Sequence, residues 1–259
     1  MTFRLLAVGD VVGESGVAML QAHLPRLKKE RDIGFAVVNG ENADGVGIHP
    51  RQADAILEAG ADVITLGNHT WNRLQIAKYL DSHDNILRPA NFTHRVPGRG
   101  FGVFEGPQGV RIGVMNLIGR TSMDPNADNP FPIAQRLLRD ADCDVAVVDC
   151  HAEATSEKGA MAWYLDGKVA AVWGTHTHVP TADLQILPGG TGFVTDLGMT
   201  GPSRSVLGIK PELAINRFLG GLPARYESAE GPCKLESVLF TIDADSGKCV
   251  GMERLDVFD

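Results

Sequence analysis

The chain opens with a pattern that repeats: a short, β-branched apolar run ends in glycine or a polar residue, and an amphipathic stretch comes next. Phe3–Gly9 reads as a buried strand, and Glu14–Lys29 carries apolar residues at helical spacing in Val17, Leu20, Leu24 and Leu27. Phe35–Val38 is a second strand, and Gln52–Ala59 is a short helix behind Pro50. Val63–Leu66 is a third strand and Leu74–Leu80 a further helical stretch. Strands alternating with helices predict βαβ units and a sheet that is largely parallel at first.

The rhythm then changes. Phe101–Glu105 and Val110–Leu117, separated by GPQG, predict a hairpin, and the polar segment Gly119–Pro132 reads as a long surface loop. The βα pattern returns with strand Val145–Val148, a helix near Glu157–Leu165 and strand Val169–Trp173. The last third predicts strands at Leu184–Leu187, Gly192–Val194, Leu235–Ile242 and Cys249–Val257, with a helix near Glu212–Phe218. There is no repeat and no long linker, so the expectation is one domain spanning residues 1–259 with mixed sheets.

The chemistry lies at the carboxyl ends of the strands. The five successive ends read Gly9-Asp10, Asn39-Gly40-Glu41-Asn42, Gly67-Asn68-His69, Asp149-Cys150-His151 and Gly174-Thr175-His176-Thr177-His178. Ligands of open α/β sheets bind outside the carboxyl ends of strands, so these turns should converge on one site. Taken singly, each group has a plain structural reading. Asp10 suits a helix N-cap, the asparagines beside glycine suit turns, and His151 suits a satisfied core histidine. His176 and His178, two residues apart, would share one face of a strand. Independent turn chemistry would rarely deliver all of these in this order, which favours a metal site. Carboxylates, amides and imidazoles without thiolate suit manganese, iron, cobalt or zinc. The donors are too many for one ion with an open position, and two ions ~3.5–4 Å apart would use them well, with a water between them for attack at phosphorus.

The series GD…NGEN…GNH…H…GTHTH resembles the calcineurin-like metallophosphoesterases, all five blocks falling in order over nearly the whole chain. Two departures narrow the resemblance. The usual Asp-x-His is here Asp10-Val11-Val12, and the usual Gly-Asp-x-x-Asp is here Gly40-Glu41-Asn42. Both are similar to the YmdB-like phosphodiesterases, as are Asn116–Met123 and Thr195–Ile209. The resemblance implies an α/β fold, a metallophosphoesterase-type sandwich of two mixed β-sheets flanked by α-helices, with the active site at strand C-terminal ends. It implies one metal held by Asp10, Glu41, Asn42 and His178, and a second held by Glu41 as bridge with Asn68, His151 and His176. His69 then faces the substrate as the catalytic histidine. Iron or manganese is implied, with zinc, cobalt and magnesium also admitted.

The implied activity is hydrolysis of cyclic nucleotides by a metal-bridging hydroxide, 2′,3′-cyclic nucleotides giving 3′-nucleotides, with 3′,5′-cyclic AMP as a further substrate. The alternatives are a general phosphomonoesterase, or a regulatory partner of nucleotides or RNA-processing proteins in which the metals are structural. Arg120, Ser203 and Arg204 are candidates for phosphate or base contact, and His49 for a peripheral role, while His23, His83 and His94 read as surface residues.

Composition trims the partners. The 259 residues carry 24 basic and 32 acidic side chains, a net charge of −8, which argues against bulk nucleic-acid binding. No window approaches the ~20 apolar residues that span a bilayer, so no membrane association is expected. The N-terminus shows no targeting pattern and reads as structure from its start. Four scattered cysteines without a C-x-x-C pair suit a reducing, cytoplasmic setting. The expected partner is a small cyclic nucleotide; a homo-oligomer and an RNA-processing protein partner stay open.

Overall fold

The computed structural model of the chain describes residues 1–123, 127–222 and 227–259. Two six-stranded mixed sheets face each other. The first runs Lys248–Arg254, Ser237–Asp243, Thr2–Val8, Phe35–Asn39, Val63–Thr65, Ile86–Leu87 in spatial order, and its last four strands are parallel. The second runs Gln185–Ile186, Gly192–Val194, Ala171–Thr175, Val145–His151, Arg111–Ile118, Phe101–Glu105, with parallel pairing through its four central strands. The hairpin at 101–118 forms as its sequence predicts.

Alternation along each strand sorts the core into three layers. Ala36, Val38, Ile64 and Leu66 face the helices Gly13–Glu30, Pro50–Glu58 and Ile76–Ser82. Val148, Cys150 and Val172 face the helices Pro130–Asp140 and Thr155–Leu165. Between the sheets, Leu5, Ala7, Phe35, Val37 and Val63 meet Val114, Val145, Val147, Ala171 and Trp173. Trp173 and Phe240 pack across this layer with ring centroids 5.8 Å apart. The α/β/β/α sandwich expected from the resemblance is the observed architecture.

Several elements depart from the sequence reading. A third sheet of four short strands, Val257–Phe258, Cys233–Leu235, Met199–Pro202 and Asp10–Val11, closes one end of the sandwich. The single strand expected at Leu235–Ile242 is accordingly two, because Glu236 is where the chain changes sheets. Its carbonyl accepts from Gly9 N at 3.0 Å and its carboxylate from Met199 N at 2.9 Å. The loop expected at Gly119–Pro132 ends early, since Pro130–Asp140 is helical; residues 124–126 of it lie outside the described residues. Both prolines of that helix sit in its first turn, where no N–H is needed, and the Asn129 side chain accepts from Phe131 N. Among the described residues no helix is long and apolar enough to cross a membrane.

Asp10 owes its position to a close backbone crossing. Asp10 N donates to Gly198 O at 3.2 Å, and Asp10–Val11 pairs in parallel with Met199–Thr200. A Cβ on Gly9 would meet the Gly198 carbonyl oxygen at 2.2 Å, so only glycine fits. Gly9→Ala should therefore cost ~1–3 kcal/mol or more. The expected reading is a lower urea midpoint; an unchanged one would mean that the two strands separate freely.

Candidate metal and active site

The inter-sheet layer changes character along its strands. Phe35 and Val37 are followed on the same face by Asn39, Val63 by Thr65, Val145 and Val147 by Asp149 and His151, and Ala171 and Trp173 by Thr175. The polar residues of this set are all buried. The sandwich is thus apolar where its parallel strands begin and polar where they end.

At that polar end the predicted residues come together. Glu41 Oε1 lies 3.2 Å from His151 Nε2 and accepts from Asn42 Nδ2 at 3.1 Å. His151 Nε2 is 2.9 Å from Asn68 Oδ1 and 3.1 Å from His176 Nδ1. His178 Nε2 is 3.1 Å from Asn42 Nδ2 and 3.7 Å from Asp10 Oδ1. Asp10 Oδ1 lies 3.9 Å from His151 Nδ1. All seven expected donors, and His69 with them, occupy one cluster.

His176 and His178 reach it differently from the strand arrangement expected. The strand stops at Thr175, and both histidines adopt positive φ, 99° and 62°. Side chains rarely take that conformation without support from their surroundings. Support comes from Asp196, whose carboxylate accepts from Thr177 N and Thr177 Oγ1 and from the fully buried Lys158 ammonium at 2.6 Å. The Asp10 carboxylate accepts from His176 N at 3.2 Å.

Hydrogen-bond acceptors set the imidazoles apart. His151 Nδ1 faces Thr175 Oγ1 at 2.9 Å, His176 Nε2 faces Glu153 Oε2 at 3.0 Å, and His178 Nδ1 faces Leu207 O at 3.2 Å. Each of the three directs one ring nitrogen outward to an acceptor and the other into the cluster. His69 does the reverse. Its Nδ1 faces Asn42 Oδ1 at 2.8 Å and Glu41 Oε1 at 3.3 Å, its backbone N donates to Glu41 Oε2, and about a third of its side chain (32%) is exposed.

The donor set fits a divalent cation. Asp10, Glu41, Asp149 and Asp196 are buried carboxylates, and Lys158 is the one buried ammonium beside them among the described residues. Asp10 Oδ1 is buried without a hydrogen-bond partner. Glu41, His151 and His176 each bring a ligand atom within 4.8 Å of the others. Gly67 lines the same space: a Cβ there would lie 2.3 Å from both Glu41 Oε2 and His151 Nε2.

The pKa shifts of the cluster follow from the same crowding of carboxylates and imidazoles. Burial pulls His151 down, but Glu41, Asp10 and Asp149 outweigh it and hold the imidazole at about 9. Burial pushes Glu41 upward, yet the His151 charge and hydrogen bonds from His151 and His69 leave it well below the usual carboxylate range. Asp10 is raised by burial. His176 is lowered to about 3 by burial and by the charge of His151, and burial also lowers His178.

The remaining candidates lie elsewhere. His49 accepts from Arg51 N and caps the helix Pro50–Glu58. Ser203 Oγ donates to Pro232 O, and Arg204 is exposed. Arg120 lines a cleft of about 300 Å³ with Thr121, Asn129, Pro130, Phe131 and Glu157. Asn116 ties the sheets together, its amide donating to Leu66 O and Leu87 O. The sequence reading singled out no role for Asp149, Thr175, Lys158 or Asp196. A carboxylate inside the apolar run VAVVDCH was the available signal for the first of these.

The chain is similar to known proteins over nearly its whole length. Residues 6–255 match the model of the YmdB-like protein family. The chain is 44% identical over 259 residues to the 2′,3′-cyclic-nucleotide 2′-phosphodiesterase of Bacillus subtilis, covering 99% of this chain and 97% of that one. It superposes on a hypothetical protein from Thermus thermophilus with a TM-score of 0.93 at 37% identity, covering 99% of this chain and 100% of the other. A novel phosphatase of Mycoplasma pneumoniae gives a TM-score of 0.93 at 34% identity, covering 100% and 94%.

Metal loading should displace a proton. Below about 9 the ion-free His151 carries one on the nitrogen a cation needs, so affinity should weaken as pH falls. Calorimetric titration with Mn²⁺ near neutral pH, in buffers of different ionisation enthalpy, should show ~1 proton released at this imidazole. A buffer-independent enthalpy would count against the ion entering beside His151.

Proposed function

The chain belongs to the YmdB-like family, and on that premise we propose that it is a phosphodiesterase that opens 2′,3′-cyclic nucleotides to 3′-nucleotides with two metal ions. The observation that carries the reading is the convergence of one nitrogen from each of three imidazoles on the space beside Glu41 and the unpartnered Asp10 oxygen, their other nitrogens being held by acceptors outside it. The family resemblance divides the donors into two sets that share Glu41, and contacts within each set support the division. Asp10, Asn42 and His178 neighbour one another on one side, and Asn68, His151 and His176 on the other. Each set with Glu41 supplies four donors, as a dinuclear centre requires. Iron or manganese suits this oxygen and nitrogen mixture, and zinc, cobalt or magnesium could also occupy it.

Asn42 has a particular part. Its NH₂ group lies between Glu41 Oε1 and His178 Nε2, where it does the work of a cation. Asn42 would hold a metal through Oδ1, in place of this amide donation.

Bound cations supply Lewis-acid charge and an acidified water. The chain's own residues do the rest. The carboxylates and imidazoles fix where the phosphate sits, and the sheet ends exclude water from one side. His69 is the one imidazole of the cluster whose Nδ1 faces Asn42 and Glu41, which leaves its Nε2, carrying a proton, to meet the phosphoryl oxygens or to protonate the departing 2′ oxygen.

The Mycoplasma structure, described as a phosphatase, favours a second reading in which simple monoesters are cleaved. Turnover of 2′,3′-cyclic AMP, 3′,5′-cyclic AMP and 3′-AMP by the Mn²⁺-loaded protein separates the two. The proposal expects the first to be the best substrate and 3′-AMP to accumulate. Rapid release of inorganic phosphate from 3′-AMP would establish the monoesterase instead.

His69→Ala should keep both ions while losing ~10²–10⁴-fold in turnover of a cyclic nucleotide. The loss should be smaller on a nitrophenyl ester, whose leaving group needs little protonation. Equal losses on both would assign His69 to stabilising phosphoryl charge, and loss of metal would make it a ligand.

A further inference from the structure

Behind His151 lies a closed polar chain that no step of the proposed reaction uses. Thr175 Oγ1 donates to Asp149 Oδ1 at 2.7 Å, and His151 Nδ1 lies 2.9 Å from the same hydroxyl oxygen. Asp149 Oδ2 accepts from Thr65 Oγ1 at 2.5 Å and from Asn39 Nδ2 at 3.2 Å. Three donors converge on one carboxylate and favour its anion against the burial that pushes it upward. All five residues are buried, with Asp149, His151, Thr65 and Thr175 at 0% exposure.

Parallel register produces the arrangement. His151 is paired with Thr175 on adjacent strands, and Asp149 precedes His151 by two residues on the same face. Asn39 and Thr65 are paired in the opposite sheet. Asp149 is thus fastened from both halves of the sandwich, while Thr175 alone connects it to the imidazole.

We propose that Asp149, acting through Thr175, is a positioning residue that fixes His151 with its proton on Nδ1 and its Nε2 lone pair toward the metal. The inference rests on the two-metal reading above. A hydroxyl has one proton, and here the carboxylate takes it. The hydroxyl oxygen can then only accept from His151, so the Nδ1–H form is bonded and the alternative form leaves two lone pairs opposed. The anion at the far end also strengthens the imidazole as a donor, as partners behind a metal-bound histidine do.

A purely structural role, tying the sheets together, is distinguishable. Thr65→Val and Thr175→Val each remove one hydroxyl donor from Asp149, but only Thr175 touches His151. Both variants should lower the thermal midpoint of the chelator-treated protein. Titration of that protein with Mn²⁺, following free Mn²⁺ by electron paramagnetic resonance, should show one of two sites weakened about 10–100-fold in T175V. T65V should bind within about twofold of the parent, and T175S, which restores the hydroxyl, should recover most of the loss. T175A is the second variant should T175V fail to fold, with the same weakening expected. Parental affinity in T175V or T175A would overturn the proposal, as would equal weakening in T65V. A parent protein that binds no Mn²⁺ would overturn the two-metal reading itself, and the relay with it.

Discussion

Burying like charges together is costly unless something compensates them, and this molecule places four carboxylates at one end of its sandwich with a single ammonium beside them. Lys158 answers Asp196, and Asp149 is answered by three hydrogen-bond donors. Glu41 is answered by Asn42 Nδ2, His69 N and the neighbouring His151, and Asp10 by His176 N, although Asp10 Oδ1 keeps no hydrogen bond. These carboxylates favour the charged form of His151 despite its burial. Much of the surrounding structure serves to hold this pair open. The third sheet pins Asp10, the turn after Asn39 presents Glu41, and glycine at position 67 keeps the space between Glu41 and His151 clear.

The histidines show how such a site is aimed. An imidazole has two nitrogens, and the direction of the useful one is set by what the other can bond. Here the three acceptors are of three kinds: a threonine hydroxyl, a carboxylate and a backbone carbonyl. His178 depends on the turn at Leu207, far along the chain, so its direction is a property of tertiary folding. His69, whose Nδ1 meets acceptors within the cluster, is left with a different duty from the same ring.

Much of this was legible in the residue order. Buried strands followed by small and polar residues announced the sheets, and the five strand ends announced the site, because both signals are local in sequence. The elements that escaped are those set by distant partners. Asp10–Val11 is a strand because Met199–Thr200 lies beside it, and Met199–Pro202 because it has Asp10–Val11 on one side and Cys233–Leu235 on the other. The helix Pro130–Asp140 was hidden by prolines whose helical tolerance depends on their lying in its first turn. His176 and His178 looked like strand neighbours, and their left-handed backbone is imposed by Asp196, Thr177 and Asp10. Asp149 left a signal as a carboxylate inside an apolar run, but its connection to Thr175 requires the register between two strands.

The division of the inter-sheet layer into an apolar and a polar half has a consequence for how the sequence can vary. One strand such as Val145–His151 begins as packing and ends as chemistry, with Val147 and Asp149 separated by a single residue on the same face. Substitutions in the first half act on stability and can be offset by repacking anywhere in the layer. Substitutions in the second half have no such freedom, since hydrogen bonds with fixed partners and directions are not interchangeable in the way methyl groups are. Robustness and chemistry therefore occupy opposite ends of the same strands, and drift at one end leaves the other untouched.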